Sequence, residues 1–335
     1  MSLETFGWTE FFEEQRAADE AALVPMRIAA VHRSRMNAVG LSGSVRLELP
    51  LHVKTMDFAV GDWVLVDADT RMLRRRLERK TLLQRRTEGA RFQQLIAANV
   101  DTLFIVTSCN ADFNAARLER YLALANEAGT DPVIVLTKAD KADSPQDYLQ
   151  AAQGLQRDLP VVSLNGLTAE ARLLLAPWCG AGQTVALVGS SGVGKSTLLN
   201  TLAEKASDEE QLTGGIREDD AKGRHTTTSR SLHGLATGGW VIDTPGMRTL
   251  HVSDVAGGIG VLFEEITELA PQCRFRDCTH AHEPGCAVRA AVEAGKLDPE
   301  RLERWRKLAD ENRDNTPVMT GPRGNRVVVD RNKRR

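Results

Sequence analysis

No apolar run in the 335-residue sequence approaches the ~18 residues a spanning helix needs, which predicts no membrane-crossing helix. The start is acidic and lacks a basic flank leading into an apolar stretch, so it does not read as a secretory signal. Net charge is also nearly missing: 43 Lys and Arg against 45 Asp and Glu leave −2, which by itself points to no polyanionic partner. Cysteine is scarce, with five in all, and three of them fall between 273 and 286. An odd count clustered in this way suits metal ligands in a reducing compartment better than disulfides, and the expected location is the cytoplasm. No internal repeat is visible.

What is present is unevenly spread. Residues 1–24 hold six acids against Arg16 alone, residues 71–91 hold nine bases against Glu78 and Glu88, and residues 323–335 hold six bases against Asp330. Near-neutrality is an average over opposing blocks. The length suggests several domains, and the texture divides as follows. Residues 1–24 form an acidic extension, either an amphipathic helix with Phe11 and Phe12 on its apolar side or a solvated arm. Residues 25–90 carry short β-prone runs (Met26–His32, Ser44–Leu49, Asp62–Asp67) punctuated by Gly40, Gly43 and Gly61, the pattern of a small OB-type β-barrel. Residues 91–255 alternate apolar strands with amphipathic helices, the rhythm of a parallel α/β sheet. Residues 256–335 read as helical, with a Cys/His cluster and a basic tail that is flexible beyond Asn315.

The strongest motif is Gly189-Ser190-Ser191-Gly192-Val193-Gly194-Lys195-Ser196-Thr197. It satisfies G-x-x-x-x-G-K-[ST], follows the apolar run Thr184–Val188 and precedes a helical run. Glycines there let backbone N–H groups converge on phosphate oxygens at a helix start. Lys195 would neutralise the β and γ phosphates, and the Ser196 hydroxyl would bind Mg²⁺. Asp243-Thr244-Pro245-Gly246 ends a later apolar strand. Asp243 can hold the Mg²⁺ water shell, and Gly246 lets its N–H approach the γ-phosphate.

A phosphate loop does not choose between GTP and ATP. Thr137-Lys138-Ala139-Asp140, directly after the strand Val133–Leu136, supplies the choice. The Asp140 carboxylate can accept both the ring N–H and the amino group of guanine, with the Lys138 stem over the base. Ser163-Leu164-Asn165 fits the loop that covers the guanine carbonyl. Ordinary GTPases have Asn where this chain has Thr137 and Ala where it has Leu164. They also place the phosphate loop first and base recognition later. Here the order is reversed, which a circular permutation produces when old termini are joined and the chain reopens elsewhere.

Cys273-x4-Cys278-x-His280-x5-Cys286 offers three thiolates and an imidazole, a closed set for one structural Zn²⁺, with His282 as a rival to His280. Cys109 and Cys179 are left as ordinary thiols. The barrel region carries Arg33, Arg35, Lys54 and the basic run but few aromatics (Phe58, Trp63), favouring phosphate and shape contacts to RNA over base stacking. For any single Arg there, a solvated face accounts for it equally well.

A permuted GTPase flanked by a small barrel and a Cys/His cluster resembles the RsgA family of ribosome small-subunit-dependent GTPases, over roughly residues 25–300. Gly223-Arg224-His225-Thr226-Thr227-Thr228 is similar to that family's switch motif, and FQQLIAANVD (residues 92–101) to its domain junction. The resemblance implies His280 as fourth zinc ligand, and His225 as the group that orients the attacking water. Alternatively, His225 only packs in the switch. One of Thr226, Thr227 and Thr228, with Thr227 as the candidate, would reach Mg²⁺. Ordinary GTPases position water with a Gln just after D-x-x-G. Met247 stands there and cannot, which predicts slow intrinsic turnover stimulated by a partner. The implied partners are GTP and GDP, the small (30S) ribosomal subunit and its rRNA, with the chain as a monomer that binds no membrane and assists late subunit maturation. Two other readings stay open: a non-enzymatic GTP-binding rRNA scaffold, and a permuted GTPase acting on the large subunit.

Overall fold

A computed structural model of the chain describes residues 2–86, 93–203, 230–244 and 252–316. In chain order, the one-turn helix α1 (Glu10–Glu13) precedes five short strands: β1 (Val24–Val31), β2 (Met36–Gly40), β3 (Gly43–Arg46), β4 (Trp63–Val66) and β5 (Leu73–Arg76). A hairpin of β6 (Leu82–Arg85) and β7 (Gln94–Ala98) leads into β8 (Thr102–Ser108), α2 (Ala115–Ala128), β9 (Asp131–Thr137), α3 (Pro145–Gln153), β10 (Val161–Ser163) and α4 (Glu170–Leu175). Then come β11 (Thr184–Val188), α5 (Lys195–Ala203), β12 (Ser231–Gly234), β13 (Trp240–Asp243), α6 (Ala256–Leu262), α7 (Glu264–Leu269), α8 (Ala287–Glu293) and α9 (Pro299–Asn315).

The central sheet runs β10-β9-β8-β11-β13-β12, parallel except for β12. Every residue of β8 and β11 is buried, as expected where helices cover both faces of a parallel sheet and no polar face survives. α2 starts where the Asn114 side chain accepts the Arg117 N–H, and stops at Gly129 in a left-handed conformation. Its Leu118, Tyr121, Leu122 and Ala125 line the core.

The five amino-terminal strands pair in the order β3-β2-β1-β4-β5, and the ends of that order meet through a parallel bridge between Glu48 and Met72. Met26, Ile28, Met36, Leu47, Val64 and Leu73 form a core of their own among these strands. One cross-strand pair, Ala30 with Ser231, joins β1 to the central sheet.

The acidic lead is neither a long helix nor a solvated arm. Phe6, Trp8 and Phe12 are buried, while Phe11 remains exposed. Phe6 stacks on Trp240 at 5.2 Å, and Trp8 meets Trp63 edge-on at 4.8 Å. The lead thus straps the five-stranded group to the central sheet. Beneath it lies Arg27, 1% exposed, donating to the carbonyls of Phe6 (2.7 Å) and Asn99 (3.0 Å). The basic run is also partly spent inside the molecule: Arg74 pairs with Asp67, Arg75 with Glu20, Arg79 with Asp62 and Arg86 with Asp254.

At the other end, Arg301 of α9 donates to Glu119 of α2 at 3.1 Å, to Glu265 at 2.7 Å and to the Leu262 carbonyl at 2.7 Å, while lying over the Phe263 ring. Arg304 reaches the same Glu119 oxygen at 2.9 Å. α9 begins as its sequence suggests, with Asp298 accepting the Glu300 N–H ahead of Pro299. No described helix is long and apolar enough to cross a membrane.

Candidate nucleotide site and metal cluster

β8, β9, β10, β11 and β13 all present their carboxyl ends on one edge of the sheet. From β8 the chain winds outward through β9 and β10, then returns to β11 on the other side of β8. Ligands of open α/β sheets bind in the crevice outside such a reversal of strand order. The chemistry-bearing segments sit there: Gly189–Thr197 after β11, Thr137–Asp140 closing β9, Ser163 ending β10, and Asp243 ending β13.

Local sequence builds the phosphate loop. Gly189 has φ +144°, and a Cβ there would lie 2.1 Å from the Val106 carbonyl oxygen, so only glycine lets the loop cross β8. Val193 is buried and pins the loop, while Ser191, Gly192 and Ser196 are exposed. The Lys195 ammonium lies inside the loop, 2.7 Å from the Gly189 carbonyl and 2.5 Å from that of Ser190. Thr197 is half-buried one turn into α5.

Thr137 replaces an amide with a hydroxyl, yet it tethers the two segments. Its buried Oγ1 donates to the Val193 carbonyl at 2.5 Å, with the Thr107 carbonyl 3.2 Å away. Lys138, in the left-handed region at φ +57°, donates from Nζ to the Gly192 carbonyl at 2.8 Å. Ala139 and Asp140 begin the short turn that follows, with Asp140 exposed. Ser163 is half-buried beside Cys109, whose thiol burial pushes up. Leu164, where Ala is usual, is buried with Leu198 and Leu202 of α5.

Asp243 is half-buried. Burial raises its carboxyl above the ordinary value, and the positive charges of His233 and Lys195 oppose that rise. Thr244 donates from Oγ1 to the Leu187 carbonyl at 2.5 Å, which fixes the end of β13 against β11. His225, Thr226, Thr227, Thr228, Gly246 and Met247 lie outside the described residues, as does the tail 323–335.

The second cluster is compact. Ligand atoms of Cys273, Cys278, His280 and Cys286 all lie within 4.8 Å of one another, and His282 is not among them. Cys273 and Cys286 sulfurs are 3.8 Å apart, and His280 Nδ1 is 3.6 and 3.4 Å from them. That spacing is far beyond a disulfide. It matches the edge of a zinc tetrahedron, about 3.8 Å between sulfurs for Zn–S bonds of about 2.3 Å. The donor chemistry fits too: Ala287 and Arg289 N–H groups point at the Cys273 and Cys286 sulfurs, which favours thiolates. Burial holds the His280 imidazole below its ordinary pKa, favouring the neutral ring that ligates. Glu283 was not foreseen. It accepts from the Thr279, Ala281 and His282 backbone N–H groups and so shapes the ligand loop. Only its place between ligands hints at this in the sequence. Cys109 and Cys179 are buried among apolar side chains, and burial pushes the Cys179 thiol up to about 12, the state of an unreactive thiol.

This strand order and loop define the class: a P-loop α/β protein of the circularly permuted kind. A family model described as RsgA GTPase matches residues 76–253. The chain is 65% identical, over all of its length and 96% of the relative's, to a "Small ribosomal subunit biogenesis GTPase RsgA" from Mesorhizobium japonicum. It is 46% identical to "Small ribosomal subunit biogenesis GTPase RsgA 2" from Vibrio vulnificus, over 97% of this chain and 92% of that one. Among solved structures, YjeQ from Thermotoga maritima matches with a TM-score of 0.62 and 26% identity, covering 86% of this chain and 98% of that chain. YloQ, titled a circularly permuted GTPase, matches the fold at TM-score 0.62 and 23% identity, over 91% and 100%. The chain belongs to the RsgA GTPase family and is a hydrolase of GTP.

Proposed function

We propose that this GTPase binds the small ribosomal subunit, assists its late maturation, and hydrolyses GTP when the subunit stimulates it. The nucleotide half rests on one observation: the segment expected to read guanine is bonded edge to edge with the phosphate loop, Thr137 to Val193 and Lys138 to Gly192. The subunit half rests on the full-length likeness to a relative bearing that name.

In this reading, Asp140 accepts from the guanine edge, and Lys138 exchanges its loop carbonyl for the base face. Ser163 lies in the turn over the base. Residues 189–197 cradle the phosphates, with Lys195 turning from loop carbonyls to the β and γ oxygens. Ser196, Asp243 and Thr227 would hold Mg²⁺, which would supply neutralisation of phosphate charge. Gly246 would meet the γ-phosphate, and His225 would orient the water that Met247 cannot. Cys273, Cys278, His280 and Cys286 would hold one structural Zn²⁺, and four protein ligands would leave it a folding role and not a catalytic one.

The organisation follows the sequence boundaries: an acidic lead (1–24), an OB-type barrel (25–90), a permuted GTPase domain (91–255) and a zinc-binding helical domain with a basic tail (256–335). The chain works as a cytoplasmic monomer. Trp63 is buried under the strap, so rRNA contact by the barrel depends on phosphates, with exposed Arg33 and Lys54 as candidates. The test is co-sedimentation with separated subunits, run with a GTP analogue and with GDP. The proposal predicts binding to small subunits that is stronger with the analogue and weakens steeply with salt. Equal binding to large subunits, or none to either, would contradict it.

A further inference from the structure

α5 begins at Lys195 of the phosphate loop and runs nine residues to Ala203. Its far end touches the turn that follows Ser163. Thr201 Oγ1 donates to the Gly166 carbonyl at 2.7 Å, and Arg172 Nε of α4 donates to the Thr201 carbonyl at 2.6 Å. That carbonyl lies in the last described turn of α5, and the Arg172 guanidinium gives it a charged donor. Leu164 shares one buried apolar cluster with Ala171 and Leu175 of α4 and Leu198 and Leu202 of α5. On its near side the turn is held by the sheet, through the Leu164 N–H and the Leu136 carbonyl at 2.9 Å. One rigid helix of roughly 13 Å therefore connects the phosphate loop at one end to the turn over the base at the other.

We infer that Thr201 and Arg172 are positioning residues for guanine selectivity: they fix the turn after Ser163 to the helix that grows out of the phosphate loop. Neither belongs to the segments read as binding nucleotide, and both act through the turn and the helix they join. The hydroxyl of Thr201 sets the height of the Gly166 backbone, and Arg172 ties α4 to the Thr201 carbonyl of α5. A base that fits gains its contacts without reordering the turn, which is the advantage of preorganisation. A base that does not fit gains nothing from the brace. The brace therefore acts on the difference between guanine and adenine nucleotides and not on phosphate binding. This inference rests on the guanine reading of residues 137–140 and 163–165 proposed above.

The test measures the affinities of the full chain with Mg²⁺ for fluorescent GDP and GTP, and then displacement by ATP and by inorganic tripolyphosphate. Thr201→Val removes the hydroxyl and keeps the side-chain shape. It should weaken GTP and GDP about 3- to 10-fold, the factor of one hydrogen bond, and leave ATP and tripolyphosphate unchanged. Thr201→Ser should restore selectivity, and Arg172→Gln should lower it. A parallel loss for all four ligands, or unaltered GTP-over-ATP selectivity in both Thr201→Val and Arg172→Gln, overturns the inference. Asp140→Ala separates the two levels. If it abolishes selectivity while the brace variants do nothing, only the brace fails. If it too leaves selectivity intact, the guanine reading fails with it.

Discussion

Two regions are fastened to the same central sheet by different chemistry. At the amino-terminal side, the strap joins the five-stranded group through aromatic rings: Phe6 on Trp240, Trp8 on Trp63, and Phe12 near both Trp8 and Trp63. At the carboxyl-terminal side, α9 is joined to α2 by ion pairs that meet at Glu119, which is 2% exposed. The burial of apolar ring surface is non-directional and tolerates small shifts, whereas a buried carboxylate between two guanidiniums tolerates the loss of neither sign. The first fastening responds to side-chain volume and the second to charge.

The largest expected effect lies in the region of the Cys/His cluster, where zinc is proposed. Structural zinc contributes on the order of 10 kcal/mol at neutral pH, so Cys286→Ser should release amide protection throughout α8 and α9. Hydrogen exchange should show β1 to β5 keeping theirs. Matching loss in both regions would erase the proposed independence of the two fastenings. Metal analysis of the unaltered chain should find about one zinc per molecule.

Next comes Glu119→Ala, which leaves Arg301 and Arg304 without their shared buried partner and should cost about 3–5 kcal/mol in denaturant unfolding. High salt should rescue little of that loss, because the pair is shielded from solvent. Phe12→Ala should cost about 3–4 kcal/mol through the cavity it leaves, with the loss felt in β1 to β5 and not in α9. If either substitution loosened the opposite region equally, the contrast would collapse.

The smallest effect is a pH dependence at the edge of the strap. Glu20 pairs with Arg75 at 2.6 Å, and hydrogen bonds from that guanidinium, with the Ala17 N–H, lower its carboxyl from 4.5 to about 2. A depressed acid stabilises the fold above its unfolded value and loses that contribution as pH falls from about 4.5 toward 2. Because the pair is near the surface, the contribution should be no more than ~1 kcal/mol. The stability difference between the unaltered chain and Glu20→Gln should be flat above pH ~5 and vanish toward pH 2. A difference that grew on acidification would refute the assignment.

What could be read from the sequence follows from how local each feature is. The phosphate loop, Asp243, the Thr137–Asp140 segment and the Cys/His spacing are short motifs; the structure puts the first three at the carboxyl edge of one sheet and gathers the last into one cluster. The strand Thr184–Val188 and the Asp298 cap needed nothing from afar. The strap was illegible because its anchors, Phe6, Trp8 and Phe12, follow no helical or strand period, and their partners lie about fifty and more than two hundred residues away. Arg27 gives no signal at all: it sits mid-strand and its acceptors are backbone carbonyls from three separate segments. The ion pairs of the basic run were illegible in a different way. Arg75, Arg79 and Arg86 find acids at positions 20, 62 and 254 that only tertiary structure brings near. Leu164 and Thr137, departures from the usual motif, gain their meaning only from α5 and Val193 packed against them.

The central claim is a GTP-hydrolysing site whose permuted halves are closed by a small-subunit partner. Single-turnover GTP hydrolysis by the full chain, alone and with saturating purified small or large ribosomal subunits, tests it most directly. The account predicts slow cleavage alone, marked acceleration by small subunits, and none by large ones. Equal rates in all three conditions, or acceleration by large subunits, would contradict it.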